Sequence, residues 1–389
     1  MQAHKQLPVR EIAAICPPGL EQVVARELTQ LGWPTPRTTP GVVTCMGSSL
    51  ELFRACMGCR TATDLRVRVG RTTAVSLEGL AQGLGKLQWS LFVHPGQAVR
   101  ITVSSRGSRL KRKDAVARKA ELAIRDAVRG PRVNYHTGGH RQRTQAPVHI
   151  HLRIEESHVE ASVDPVGDSL WKRGYRSRGG AAPLRENLAA ASLLAMGWQK
   201  NLPLVDPFCG SGTLLIEAAG MATGRLPGAG RSFALEHWPC HVPKLWRKLQ
   251  GEAKAHARLT PAALMGADAD QAVLDVAREN AAQAGVARAI GWAHQRIDVL
   301  EPPAPGPGLV LTNPPWGQRL GSNVTGVYGA LGRALRGRFG GWDLGLLCPD
   351  RGLVQALNIP MQPRLEFPHG GARLTLWAGR VPEAHPPRP

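Results

Sequence analysis

The sequence predicts an α/β protein in two parts, an α+β module followed by strand–turn–helix units around a parallel sheet. Three observations carry this. Apolar residues alternate at strand and helix periods along the chain. The composition shifts near residue 170 to an Ala/Leu-rich helix and then to repeated strand–turn–helix units. Basic charge is concentrated ahead of that shift: residues 1–180 carry 28 Lys and Arg against 14 Asp and Glu, and residues 181–389 carry 21 against 15.

At 389 residues, 43% hydrophobic and 20% charged, the chain can fill two or three ordinary cores. Its formal charge of +20 calls for a polyanionic partner, nucleic acid first and an anionic membrane surface second. No apolar run is long enough to span a bilayer, which excludes a transmembrane helix. Met1 to Arg10 lacks the apolar core of a secretory signal. The cysteines (16, 45, 56, 59, 209, 240 and 348) are few, scattered and odd in number. That fits a reducing cytoplasm better than a disulfide framework.

The elements follow in order. Val9 to Cys16 reads as a strand, then Leu20, Val23, Val24, Leu28 and Leu31 recur at helical spacing up to Gly32. Residues 41–45 read as a strand, 50–59 as a helix and 65–69 as a strand, an alternation that predicts a ferredoxin-like unit. Residues 99–104 alternate as a strand, and a basic helix follows over about 111–129. Its apolar positions are Ala115, Val116, Ala120, Leu122, Ala123 and Ala127. Residues 147–154 and 158–163 predict a hairpin around Glu155-Glu156-Ser157, and 130–146 reads as a polar loop. Residues 223–262, with four Pro and two Trp, interrupt the α/β rhythm as an insertion. The Pro-rich tail after Val381 reads as frayed.

Four motifs carry chemistry. Leu204 to Ala219 is an apolar strand, a tight turn containing Gly210 and Gly212, and a helix. Glycines admit a ligand to the backbone, and the helix start offers free N–H groups. Leu215 stands where the dinucleotide fingerprint needs its third glycine. Asp206 at the strand end repels phosphate and suits a cationic or amino-acid-bearing ligand such as S-adenosylmethionine. An ordinary turn capped by Ser211 would look similar. In the second motif, Asp268, and after it Asp270, ends the next strand where such folds hold ribose hydroxyls, and one of the two serves as a helix cap. In the third, Asp298 follows a strand and could accept from an adenine amine, although a surface turn would read alike.

The fourth motif is the most specific. An apolar strand, Leu309 to Leu311, runs into Asn313-Pro314-Pro315-Trp316. Exocyclic base amines are poor nucleophiles because the lone pair is delocalised into the ring. The Asn313 oxygen and the Pro314 carbonyl can accept both N–H groups and hold the nitrogen toward attack. Pro314 and Pro315 stiffen the turn, and Trp316 offers a stacking face. Transfer from a sulfonium needs positioning more than a strong base.

Residues 100–143 hold 13 Lys and Arg against three Asp and Glu. Arg109, Lys111, Arg112, Lys113, Arg118 and Lys119 lie on or beside one helix, where they can meet phosphates without choosing sequence. Cys56-Met-Gly-Cys59 is a single pair on an apolar helix and reads as core, so no metal site is expected. His136, His140, His149 and His151 read as structural or RNA-facing.

With these residues in hand, the chain resembles the THUMP-domain class I methyltransferases that modify guanine N2 in RNA. Cys16-Pro-Pro-Gly-Leu-Glu21, Arg60-Thr-Ala62, Trp171-Lys-Arg-Gly-Tyr-Arg176, Ala182-Pro-Leu-Arg-Glu-Asn-Leu-Ala189, Asp206 to Thr213 and Asn313 to Gly317 carry the resemblance. It implies a ferredoxin-like domain over 1–62, a THUMP RNA-binding domain over 63–165 and a linker over 166–183. A Rossmann-like methyltransferase domain with a mostly parallel seven-stranded sheet would then occupy 184–381, and a flexible tail 382–389. It implies S-adenosylmethionine as cofactor, with its methionyl end along Asp206, Pro207, Cys209, Gly210 and Gly212. The ribose would sit at Asp268 or Asp270, adenine near Asp298, and the stretch around Glu186 would close over the cofactor. The partner is structured rRNA or tRNA, with no membrane and no obligate protein partner. Two features depart from the family: Trp316 stands where Tyr is usual, and 106–119 is unusually basic. Adenine-N6 methylation of RNA or DNA is the alternative. Protein glutamine methylation leaves the basic module unused, and a non-enzymatic RNA-binding role leaves the intact motifs unused.

Overall fold

The computed structural model describes residues 6–129, 146–176, 184–256, 263–304, 306–316 and 324–383. The expected loop 130–146 (except Ala146), linker residues 177–183, Gly317 and the tail from 384 lie outside them.

The first half builds one seven-stranded sheet. Its strands are β1 (Arg10–Ile15), β2 (Arg37–Thr39), β3 (Val42–Gly47), β4 (Asp64–Thr73), β5 (Val99–Arg106), β6 (Val148–Glu155) and β7 (His158–Val163), in the order β2-β3-β1-β4-β7-β6-β5. Helices α1 (Glu21–Gln30), α2 (Ser49–Gly58), α3 (Leu77–Gly85) and α4 (Lys113–Arg129) accompany it. Position 62/63 falls just ahead of β4, which pairs with β1 on one side and β7 on the other. The two expected N-terminal units therefore share one sheet. Local chemistry sets the elements: Ser48 and Glu51 form a capping box on α2, and β6 and β7 make the expected hairpin.

The basic helix begins at Lys113 rather than 111. It buries Val116, Ala120 and Ile124, spaced at four residues, while Leu122 is exposed. The expected apolar face is therefore wrong at Leu122, because a helix turns about 100° per residue and only the i, i+4 stripe meets the sheet.

The second half comprises α5 (Glu186–Ala195), β8 (Leu204–Asp206), α6 (Thr213–Ala222), α7 (Pro243–His256), β9 (Leu264–Asp268), α8 (Gln271–Gln283), β10 (Ile290–His294), β11 (Leu309–Thr312), α9 (Val324–Arg338), β12 (Asp343–Cys348), α10 (Arg351–Gln355), β13 (Met361–His369) and β14 (Ala372–Arg380). The sheet order is β10-β9-β8-β11-β12-β14-β13. The first five strands are parallel, β14 runs antiparallel to β12, and β13 pairs antiparallel with β14. β8 and β11 are buried along their whole length, as strands covered on both faces must be. Chain order reverses between β8 and β11, and open α/β sheets bind ligands beyond the strand ends at such a switch point.

The Pro/Trp insertion joins the halves. Gly228 N donates to Met57 O at 2.9 Å, Leu235 N to Pro165 O at 3.0 Å and Cys240 N to Leu91 O at 3.1 Å. Trp238 packs edge-on against Phe92, and Trp246 against Phe53. A Cβ on Gly228 would lie 2.8 Å from the Cys56 carbonyl oxygen, so only glycine lets the two backbones meet.

Candidate active site

β8 delivers Asp206 to the switch point, and β11 ends beside it. The Thr312 hydroxyl donates to Asp206 Oδ1 at 2.7 Å, and Phe208 N donates to the same oxygen at 3.2 Å. Asp206 is 2% exposed, and burial pushes its carboxyl up to about 7 against the pull of those two bonds.

The glycine turn follows. Gly212, the first cap residue of α6, has φ of 82° and receives no side-chain cap. The Ser211 cap considered from sequence is absent; Asn280 Nδ2 instead donates to the Ser211 carbonyl at 3.1 Å. A Cβ on Gly212 would lie 2.8 Å from Trp292, which closes the turn from β10. The first N–H groups of α6 are therefore left for a ligand.

The two neighbouring aspartates divide their work. Asp268 accepts from Gly210 N and Asp270 N, both at 3.1 Å, which fixes its carboxylate against the glycine turn. Asp270 caps α8 through Ala272 N and Val273 N. Asp298 stands apart. β10 ends at His294, and Asp298 sits exposed in a short turn, ion-paired with Arg296 at 3.1 Å. That hydrogen bond lowers its pKa.

Asn313 and Pro314 leave the end of β11 directly after Thr312. Pro314 is buried, while Asn313, Pro315 and Trp316 are half-buried. Trp316 Nε1 donates to Asn313 Oδ1 at 3.3 Å. The acceptor oxygen and the aromatic face thus already address each other. Thr312, which sequence reasoning passed over, ties this turn to the Asp206 strand. The only signal was its place immediately before the Asn-Pro-Pro run.

Glu186 is distant in sequence but opens α5 in a buried polar cluster. Arg176 Nη2 lies 3.0 Å from Thr213 Oγ1 and 3.4 Å from Glu186 Oε1. Farther along α6, Glu217 pairs with Arg173 at 3.3 Å and with Arg60 at 3.6 Å. Arg173 and Arg60 also donate to backbone carbonyls, including Arg173 to Arg60 O. A cleft of about 950 Å³ lined by Arg60, Arg173, Glu217 and Arg231 extends toward the C-terminal end of α6, away from Gly212. These guanidinium groups are bonded within the protein, so the cleft is a joint between halves. The turn at Arg60-Thr61 is itself held by buried Glu27, which accepts from Arg60 N at 2.7 Å and Thr61 N at 3.0 Å. Cys59 Sγ donates to the same carboxylate, placing the Cys56/Cys59 pair in the core.

The basic residues form a separate surface. Arg109, Lys111, Arg112, Lys113 and Arg118 are exposed, and Lys119 is drawn toward Glu78 at 3.5 Å. His151 is more buried, and its pKa is lowered to about 4 chiefly by burial. His136 and His140 lie outside the described residues.

The residues fit S-adenosylmethionine: an uncapped helix start, a turn too close-packed for a side chain, and acidic ends on two adjacent strands. Comparison agrees. Residues 173–358 match the family profile described as UPF0020, RMKL-like, methyltransferase domain. Residues 11–67 match the RlmL ferredoxin-like domain. SMU.472, assigned as a methyltransferase and crystallised with S-adenosylhomocysteine, is 26% identical. The match covers 97% of this chain and 99% of that one, with a TM-score of 0.86. A predicted N6-adenine-specific DNA methylase from Listeria monocytogenes is 26% identical over 95% and 96% of the two chains, with a TM-score of 0.85. A protein described as a possible methylase from Clostridium difficile is 28% identical over 98% and 100%, with a TM-score of 0.85.

The chain is an S-adenosylmethionine-dependent methyltransferase. It carries a UPF0020 RMKL-like catalytic domain behind an RlmL-type ferredoxin-like domain.

Proposed function

We propose that the protein methylates the exocyclic N2 amine of a guanosine in rRNA or tRNA, with residues 63–165 serving as a THUMP RNA-binding domain. The observation that carries this reading is Asn313-Pro314-Pro315-Trp316 at the end of β11, coupled through Thr312 to Asp206. Bound S-adenosylmethionine supplies a methyl group already activated on a sulfonium. Asn313 Oδ1 and the Pro314 carbonyl accept the N–H groups of the amine, Trp316 stacks on the base, and the rigid prolines keep the acceptors in place. An incoming N–H takes over the place on Asn313 that the Trp316 indole now fills. Asp206, Pro207, Cys209, Gly210 and Gly212 line the cofactor turn, Asp268 takes the ribose and Glu186 closes the methionyl side. Asp270 serves as helix cap, and Asp298 reaches adenine only by leaving Arg296. The exposed cations before and on α4 hold phosphates.

A second reading, adenine-N6 methylation, is favoured by the description of the Listeria relative as an N6-adenine-specific DNA methylase. Nucleoside mass spectrometry of rRNA and tRNA from cells with and without the gene separates the two. Loss of N2-methylguanosine supports the first and loss of N6-methyladenosine the second. With the substrate RNA in hand, Asn313→Ala is expected to abolish transfer while leaving cofactor binding nearly intact. Activity within a few-fold of wild type would remove Asn313 from its acceptor role.

A further inference from the structure

The cluster at the start of the catalytic domain holds polar groups that neither the fold nor the methyl transfer itself uses. Arg176 Nη2 is engaged by Thr213 Oγ1, the Leu184 carbonyl and Glu186 Oε1. Yet Arg176 Nε, Glu186 Oε2 and the Tyr175 hydroxyl are each buried without a hydrogen-bond partner. Glu186 is 2% exposed and Tyr175 is 6% exposed. Burial pushes the Glu186 carboxyl up, and Arg176 only partly offsets it. Buried polar groups are normally satisfied, and three unsatisfied ones in one cluster call for a polar ligand.

Position and charge select that ligand. Thr213 is the first residue of α6, directly after Gly212, so Arg176 reaches the same uncapped helix start that the cofactor turn presents. The methionyl end of S-adenosylmethionine is a zwitterion, a carboxylate and an ammonium on one carbon. A guanidinium and a carboxylate 3.4 Å apart match it charge for charge.

We propose that Arg176, held by Glu186 and Thr213, receives the α-carboxylate of the cofactor's methionyl end, and that the free oxygen of Glu186 receives its α-ammonium. The proposal rests on the cofactor reading of the Asp206–Gly212 turn and adds a binding residue from the linker. It also has a structural corollary. Arg173, three residues earlier, is bonded to Glu217 and to the Arg60 carbonyl of the N-terminal module. Docking of that module therefore sets where Arg176 stands.

Calorimetric titration with two ligands tests this. S-adenosylhomocysteine carries the amino-acid end, and 5′-methylthioadenosine lacks it. Arg176→Met is expected to weaken S-adenosylhomocysteine by about 10- to 100-fold, the worth of a lost charge-assisted hydrogen bond. Binding of 5′-methylthioadenosine should stay within about twofold, since it never reaches the arginine. Equal loss of both ligands, or no loss of either, overturns the proposal. If Arg176→Met lacks a cooperative melt, Glu186→Gln and Arg176→Lys carry the same comparison, and each must weaken the amino-acid ligand selectively. Wild-type protein that binds neither ligand would instead overturn the cofactor reading on which the clamp rests.

Discussion

Asp206 is a carboxylate enclosed where two parallel strands meet, bonded to Thr312 Oγ1 and Phe208 N, with its pKa raised from 3.8 to about 7 by burial. The sign of its pH dependence follows. Between those values the folded chain keeps a proton that the unfolded chain has lost. The group therefore subtracts from stability as pH rises from 3.8 through about 7. Asp206→Asn is expected to gain thermal stability relative to wild type at about pH 8 but not at about pH 4. A cationic ligand beside the carboxylate favours its ionised form, so affinity for S-adenosylmethionine should rise with pH through about 7 and lose that rise in Asp206→Asn. Titrations across that range check both; a flat wild-type profile would place the ligand's charge away from Asp206. Asp206, Gly212 and Asn313 were legible in the sequence because each sits in a short contiguous pattern. Thr312 was not, because its partner comes from another strand.

At the scale of single elements, α4 shows how much of a charge run is surface. Arg112 and Lys113 are exposed while Val116, Ala120 and Ile124 hold the helix to its sheet. The cations are therefore free to act on a partner without cost to the fold. Reversing Lys111, Arg112 and Lys113 to Glu should leave the melting temperature nearly unchanged and weaken RNA binding. The slope of log affinity against log salt should become shallower by about 0.7–0.9 for each phosphate that is no longer neutralised. Filter binding over a salt series measures this, and an unchanged slope would move the RNA surface elsewhere. The pair Asp268 and Asp270 makes a related point. Sequence narrowed the ribose site to these two and assigned a cap to one; the path of β9 into α8 makes Asp270 the cap and turns Asp268 to Gly210.

Across the whole molecule, the insertion between α6 and β9 and the linker arginines fasten the basic module to the catalytic sheet. Gly228 is the tightest point of that joint. Gly228→Val is expected to loosen the halves without touching the glycine turn of the cofactor site. Transfer to RNA should fall at least about tenfold, the scale on which misplacing a bound substrate acts, while S-adenosylhomocysteine binding changes little. Faster cleavage near the linker under limited proteolysis would accompany it. Full RNA activity in this variant would show that the joint is not needed to present the substrate.

By itself the sequence determined the parallel α/β class of the second half, the glycine turn after Asp206, the Asn-Pro-Pro-Trp turn and the basic character of the first half. These depend on local periodicity, turn chemistry and composition, all contained within a few residues. Only the tertiary structure decided that one sheet runs through both N-terminal units and that Asp270 rather than Ser211 or Asp268 acts as a cap. It alone brought Thr312 to Asp206, Arg176 to Glu186, and Arg60 and Arg173 to Glu217. Those pairings join groups far apart in the chain. Their geometry is chosen by how the sheets and helices pack, and each buried charge then takes the partner that packing places within reach.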